Sequence, residues 1–221
     1  LRALGSRNYR LFFFGQVVSL VGTWITTTAT NWLVYRLTGT ALLLGVVGFA
    51  GQFPAFLLGP FAGIAVDRWD RHRLLVVTQT ISMLQSFALA ALVLSGRITL
   101  EWIVGLSVVQ GLVNSFDMPA RQAFLLTMIE NKEDLGNAIA LNSSMVNLAR
   151  LVGPSVAGVV IALTGEGWCF FIHGVSYLAV IGSLLAINVA PSAVTRKPVG
   201  RMLHQLAQGW SYVRGFAPVR K

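Results

Sequence analysis

The stretch Gly63-Ile-Ala-Val-Asp67-Arg68-Trp69-Asp70-Arg71-His72-Arg73 lies between two long apolar runs and decides the fold class. Within it, the seven consecutive positions 67–73 carry two acids, three arginines and one histidine. Charged side chains are costly inside the hydrocarbon of a bilayer, so a membrane protein confines most of them to its aqueous faces. The stretch is therefore interpreted as a loop at one face of a membrane.

The composition also indicates a membrane protein. Of the 221 residues, 55% are hydrophobic and only 11% are charged, whereas about 25% charged residues are typical of a soluble domain. The net charge of +9 is concentrated in short gaps between apolar runs, which favours orientation in a lipid bilayer and argues against a nucleic-acid partner. The single cysteine, Cys169, excludes an internal disulfide and a cysteine-based zinc site. No metal and no cofactor are expected.

Six apolar runs have roughly the 20 residues that are needed to cross a bilayer. They predict an all-α integral membrane protein with transmembrane helices over residues 11–34, 41–66, 74–94, 100–116, 145–163 and 168–189. The fifth helix is expected to begin before the membrane, because residues 131–134 resemble an N-cap followed by acids that suit the helix dipole.

Basic residues are divided unequally between the two sides of these spans. The turns after the first, third and fifth helices carry Arg36 and Arg97, whereas the opposite gaps and both termini carry nearly all other Lys and Arg residues. The positive-inside rule therefore predicts that both ends of this segment lie in the cytoplasm.

Two regions are predicted along the chain. Residues 1–190 form a six-helix transmembrane bundle. Residues 191–221 form a cytoplasmic linker with an amphipathic helix, because apolar residues from Leu203 to Val213 recur at helical spacing. Since the chain starts with Leu1 and ends soon after this linker, we expect the linker to lead to a further, C-terminal half of a longer protein.

Glycine and proline interrupt the second and fifth helices. The segment that begins Gly59-Pro60 resembles the one that begins Gly153-Pro154, and the two occupy equivalent places in successive triplets of spans. The similarity predicts two inverted three-helix repeats, with chance resemblance between Gly-rich membrane helices as the alternative. Such residues permit bending as well as close packing. The hinge candidates are Pro54, Pro60, Gly153 and Pro154.

Polar residues recur every three or four positions on several helices. Such a face is expected to point toward neighbouring helices or a water-filled cavity. Interhelical hydrogen bonding, worth about 0.6 kcal/mol per contact, explains the same pattern, and a stripe from Thr78 to Gln85 shows that the third helix has it too. The candidates for lining a substrate cavity are Thr23, Thr27, Asn31, Gln110, Asn114, Asn147 and Arg150.

Arg150 is predicted to lie inside the hydrocarbon, where it either snorkels to the cytoplasmic interface or faces a counter-ion, a cavity or a substrate. Every Asp and Glu, in contrast, is predicted to lie at or beyond a helix end, which leaves no embedded carboxylate for a proton relay. Nucleophile, base and orienting group do not cluster, and no phosphate-binding glycine loop occurs. An enzyme is therefore not expected.

The opening stretch resembles the signature loop of the major facilitator superfamily, Gly-x-x-x-Asp-Arg-x-Gly-Arg-Arg/Lys. Gly63, Asp67, Arg68 and Arg71 match it in residue and spacing, and Asp70 stands at the glycine position. Asp tolerates left-handed geometry better than most residues, so we expect the turn to persist.

Further motifs resemble one branch of that superfamily, which contains enterobactin exporters and macrolide efflux proteins and is also called the third drug:proton antiporter group. They begin at Asp117-Met-Pro119 and at Asn147-Leu-Ala-Arg150. In the superfamily's fourth-helix motif an arginine precedes Gln-Gly by three residues; here Ser107 takes that place before Gln110.

The resemblance covers essentially the whole chain but only the first half of a twelve-helix family member. It implies a transporter of the bacterial inner membrane that exports a hydrophobic or amphipathic small molecule by alternating access, in exchange for protons. Its partners would be that small molecule, the lipid bilayer and the C-terminal half. The alternative is a membrane protein that binds or scaffolds without transport.

The resemblance also implies a gating motif at the cytoplasmic face. In the outward-open state Asp67 would approach the second half of the protein, while Arg71 would pair with Asp117 at the end of the fourth helix. The residues of this implied motif are Gly63, Asp67, Arg68, Arg71 and Asp117.

Overall fold

The computed structural model describes residues 2–128 and 135–187. These residues form one short 3-10 helix, Arg2–Gly5, and six long helices. The long helices are α1 (Arg7–Thr38), α2 (Ala41–Val66), α3 (Arg71–Leu94), α4 (Leu100–Thr127), α5 (Leu135–Thr164) and α6 (Glu166–Ala186). The linker predicted over 191–221 and the N-cap predicted over 131–134 lie outside the described residues.

Five of these helices, α1, α2, α3, α5 and α6, are long and apolar enough to cross a membrane. With 28 residues, α4 is about 42 Å long and also reaches across, but polar side chains from Gln110 to Arg121 make it less apolar. Several of those side chains bond to α1 and α3, which shields them from lipid. The predicted all-α, multi-pass membrane fold is confirmed.

Three tight turns lie together at one end of the bundle, which we call the turn end. Gly39, Gly96 and Gly165 occupy them with φ values of 66°, 68° and 88°. This left-handed region is open to glycine without a steric penalty, so the chain reverses direction within a few residues. The loop at 67–70 lies at the opposite end, which we call the charged end.

The principal helix contacts repeat between the two halves of the bundle. α1 packs against α5 and α6, α4 packs against α2 and α3, and α3 packs against α6. If α1 is exchanged with α4, α2 with α5 and α3 with α6, the same set of packed helix pairs results. Two three-helix units of inverted topology produce this symmetry, so the predicted pair of inverted repeats is confirmed.

The two Gly-Pro pairs differ in their packing. A β-carbon added to Gly153 would lie 2.3 Å from Cβ of Trp24 in α1, whereas one added to Gly59 would meet nothing within 4 Å. The close contact between α2 and α4 lies before Gly59 in the sequence, where Gly51 and Pro54 approach Gly111 of α4.

Both helices continue unbroken through their prolines, Pro54 and Pro60 in α2 and Pro154 in α5. Close packing therefore accounts for Pro54 and for Gly153. A hinge role for these residues stays a prediction.

The interior has an apolar cluster at each end and a polar layer between them. The cluster at the turn end includes Leu33, Ile103 and Phe170, and the cluster at the charged end includes Phe12 and Leu184. The buried polar side chains of the layer come from α1, α3, α4 and α6: Gln16, Ser19, Thr78, Gln79, Ser82, Ser86, Ser115, Asp117, His173 and Ser176. Hydrogen bonds across this layer, not apolar contacts alone, join the four helices.

The end of α4 was predicted at residue 116, and this is wrong. The helix continues to Thr127, because Ala120 and Phe124 pack into the cluster at the charged end. Asp117 consequently lies inside α4 and is buried. The prediction that every acid lies at or beyond a helix end is therefore also wrong.

Candidate functional site

The loop at the charged end is fastened to α4 through Arg71. Its guanidinium donates to the Ala123 carbonyl oxygen over 3.4 Å, and it lies 3.6 Å from the Asp67 carboxylate. The Asp67 side chain nevertheless remains 75% exposed. Gly63 lies one turn earlier in α2, and Arg68 is half-buried. Arg71 thus holds the loop against α4, while the Asp67 carboxylate stays accessible.

Asp70 does not adopt the left-handed turn expected from the resemblance. Its φ is −63°, and its carboxylate caps the N-terminus of α3 by accepting from the Arg73 backbone N–H at 2.8 Å. Asp is among the best N-cap residues, so here the substitution for glycine begins a helix. The flanking Trp69 stacks on Phe116 of α4, with ring centres 6.0 Å apart.

Asp117 is the centre of a buried network that joins three helices. Its carboxylate accepts from the Thr78 hydroxyl at 2.8 Å and from the Gln79 amide at 2.7 Å, both on α3. Arg121, one turn along α4, donates to the other oxygen at 2.5 Å. The second arm of the guanidinium donates to the Gln16 side chain of α1.

Arg71 and Asp117 are not paired with each other in this structure. The Asp117 carboxylate is occupied by α3 and by Arg121, while Arg71 reaches Ala123. The spacing of Asp117 and Arg121, four residues apart, is that of a helical ion pair. This spacing in the sequence could have predicted the ion pair between Asp117 and Arg121.

The polar residues of α4 nearer the bilayer centre lie against α3. The Gln110 amide donates to the Ser82 hydroxyl at 3.2 Å and to the Asn114 side chain at 3.0 Å. Both Gln110 and Asn114 are half-buried. The bond to Ser82 joins α4 to α3, whereas the bond to Asn114 lies within α4. A cavity-lining role for Gln110 and Asn114 stays a prediction.

The other cavity candidates share an exposed strip on α1 and α5, which pack together. Arg150 lies about halfway along α5, and its guanidinium carbon is 5.4 Å from the centre of the Trp24 ring on α1. The exposed members of this polar strip are Thr23, Thr27, Asn31, Asn147 and Arg150.

The exposed surface of α6 has the opposite character. From Trp168 to Ala186 every exposed residue of this helix is apolar, as at Phe171, Val175 and Leu185. Because lipid accepts apolar side chains and penalises polar ones, α6 presents a surface suited to lipid. The polar strip on α1 and α5 is suited to water or to another protein surface.

At the turn end an ion pair ties α1 to α6, and the sequence analysis did not anticipate it. Arg36, in the last turn of α1, lies 2.8 Å from the carboxylate of Glu166 at the start of α6. The positive Arg36 lies at the C-terminal end of α1 and the negative Glu166 at the N-terminal end of α6, so each charge is stabilised by the dipole of its own helix. Among residues 2–128 and 135–187, no group of three or more His, Cys, Asp or Glu side chains could hold a metal ion.

Residues 2–221 match a family of the major facilitator superfamily that is described as transmembrane secretion effector. The chain belongs to this family. The superfamily consists of membrane transporters, which are not enzymes.

Similar proteins within the major facilitator superfamily include a siderophore transporter and two efflux proteins. The staphyloferrin A transporter of Staphylococcus aureus is 29% identical over 78% of this chain and 43% of its own length. The multidrug efflux pump Tap of Mycolicibacterium fortuitum is 29% identical over 81% of this chain and 44% of its own. Macrolide efflux protein A of Streptococcus pyogenes is 24% identical over 83% and 45%. The chain therefore spans less than half the length of these relatives.

Proposed function

We propose that this chain is the N-terminal half of a secondary transporter of the bacterial inner membrane. The transporter exports a hydrophobic or amphipathic small molecule by alternating access, in exchange for protons. The observation that carries the proposal is the polar strip on α1 and α5, with Arg150 at mid-helix. A cation at that depth is costly against lipid, which favours a cavity between two halves. The relatives, named as transporters or efflux proteins, support the same assignment.

Gradient-driven movement is the decisive test, and it requires the full-length protein. We would reconstitute it into proteoliposomes, impose a pH gradient and follow three dansylated amphiphiles: a carboxylic acid, its methyl ester and an amine. Accumulation of at least one probe above its level in protein-free liposomes, abolished by a protonophore, is expected. Binding without gradient-dependent accumulation of any probe would favour the non-transporting scaffold.

Orientation can be tested by labelling, because the only cysteine of this chain, Cys169, is buried. Thr40 is exposed at the turn end, and Arg73 is exposed at the charged end. With any further cysteines of the full-length protein replaced, we expect Thr40→Cys to react with a membrane-impermeant maleimide in intact cells. Arg73→Cys is expected to react only after permeabilisation; reaction from outside would reverse the assignment.

Asp67 serves, in this proposal, as a latch between the two halves. Its carboxylate is largely exposed in this half, and a charge-assisted hydrogen bond to an approaching helix end would hold one state of the transporter. We expect Asp67→Asn to insert normally and to slow transport about tenfold, since a hydrogen bond to a charged group contributes about 1.5 kcal/mol.

Asp70→Asn is the matched control for this latch experiment. It makes the same change of charge three residues away, and Asn caps a helix as well as Asp does, so α3 should begin unchanged. Equal transport by Asp67→Asn and wild type at equal expression would remove the latch.

A further inference from the structure

Among residues 2–128 and 135–187, Arg150 differs from Arg36, Arg71 and Arg121 in forming no ion pair. The ion pairs within the described ranges are Arg36–Glu166, Arg71–Asp67 and Arg121–Asp117. Arg150 instead contacts the Trp24 ring. It lies about 22 Å along α5 from Leu135 and about 21 Å from Thr164.

The cation–π contact with Trp24 leaves the Arg150 guanidinium able to bind an anion. The guanidinium carbon lies over the indole at 5.4 Å from the ring centre, a cation–π contact, and this contact uses none of the five N–H donors of the guanidinium. A carboxylate can accept two of them in parallel, which is the geometry that distinguishes arginine from lysine. The ring thus orients the fork without using its donors.

The side chains around Arg150 favour an amphipathic anion. Thr23 and Thr27 donate their hydroxyl hydrogens to backbone carbonyls one turn earlier, over 3.0 Å and 2.8 Å. They therefore present methyl groups and oxygen atoms, not donors. Asn147 is exposed one turn before Arg150 and supplies an amide donor. Donors for a carboxylate thus lie on α5, beside an apolar wall that Trp24 contributes from α1.

We propose that Arg150, oriented by Trp24, binds the carboxylate of the transported molecule, so that the transporter prefers amphipathic carboxylic acids to neutral or cationic analogues. This proposal rests on the function proposed above, because it assumes that the strip faces the substrate cavity.

The test compares binding of matched probes to the full-length protein in detergent. The probes are 11-(dansylamino)undecanoic acid and its methyl ester, which differ in the charge and in one methyl group, and binding is followed by dansyl fluorescence. Wild type is expected to bind the acid at least about tenfold more tightly than the ester. Arg150→Gln should remove that ratio without weakening the ester, and Arg150→Lys should retain part of it. Arg97→Gln, on an exposed turn, is the control and should match wild type.

Several results would overturn the assignment. They are a wild-type protein that binds acid and ester equally or binds neither, and an Arg150→Gln variant that keeps the wild-type ratio. The last result would follow if an acid from the other half of the protein neutralised Arg150. Binding with the expected ratio but without gradient-driven accumulation in proteoliposomes would instead remove the proposed transport and leave the anion site standing.

Discussion

Asp117→Ala is expected to lower the free energy of unfolding of the full-length protein by about 3 kcal/mol. The substitution leaves Thr78 and Gln79 without their shared acceptor and leaves Arg121 without its counter-ion. Breaking a buried ion pair from one side costs about 3–5 kcal/mol. The lower end applies here, because the Arg121 side chain keeps 26% exposure and regains some hydration. Unfolding by SDS in mixed micelles provides the measurement.

Two comparisons separate the network from a general effect of mutating α4. Glu101→Gln removes an acid from the exposed first turn of the same helix and should leave stability close to that of wild type. The double variant Asp117→Ala/Arg121→Ala should be less destabilised than the sum of its single variants, because it removes both charges. Additive losses, or an Asp117→Ala variant as stable as wild type, would show that the network does not hold α1, α3 and α4 together.

The parts of the fold that follow from length and charge were predictable. Six apolar runs and the cluster at 67–73 sufficed for the spans and for the ends at which the loops lie. The end of α4 was missed because the apolar run stops near Pro119. Beyond that point the buried apolar residues Ala120 and Phe124 alternate with polar ones such as Arg121 and Gln122, and a helix that leaves the bilayer needs only one apolar face.

The orientation of the polar stripes could not be predicted from periodicity. A spacing of three and four places residues on one face of a helix, but the neighbour of that face depends on tertiary packing. On α3 the stripe at Thr78 and Ser82 is buried against α4, whereas on α1 the stripe at Thr23 and Thr27 is exposed. The conformation of Asp70 was predicted wrongly for a related reason. Asp70 caps α3 because that helix begins at Arg71, and the sequence pattern did not predict this start.

The closest approach between α2 and α4 supports the second prediction of large effect, for Gly111→Ala. A β-carbon on Gly111 would lie 2.4 Å from the Gly51 carbonyl oxygen and 3.1 Å from Cδ of Pro54. The oxygen belongs to a helix backbone, so it cannot yield unless the two helices separate. Overpacking of this kind costs about 1–3 kcal/mol, and we expect a loss of about 2–3 kcal/mol in the same SDS assay.

Two other glycine-to-alanine substitutions in α2 and α4 serve as controls, because neither is expected to destabilise the protein. A β-carbon on Gly105 of α4 would meet nothing within 4 Å, and one on Gly51 would come no closer than 3.8 Å to Ser107. Because alanine is a better helix former than glycine by about 0.5–1 kcal/mol, Gly105→Ala should be neutral or stabilising and Gly51→Ala should be tolerated. If Gly111→Ala behaved like Gly105→Ala, the backbones of α2 and α4 would not be in contact. The two helices would then not form one rigid unit.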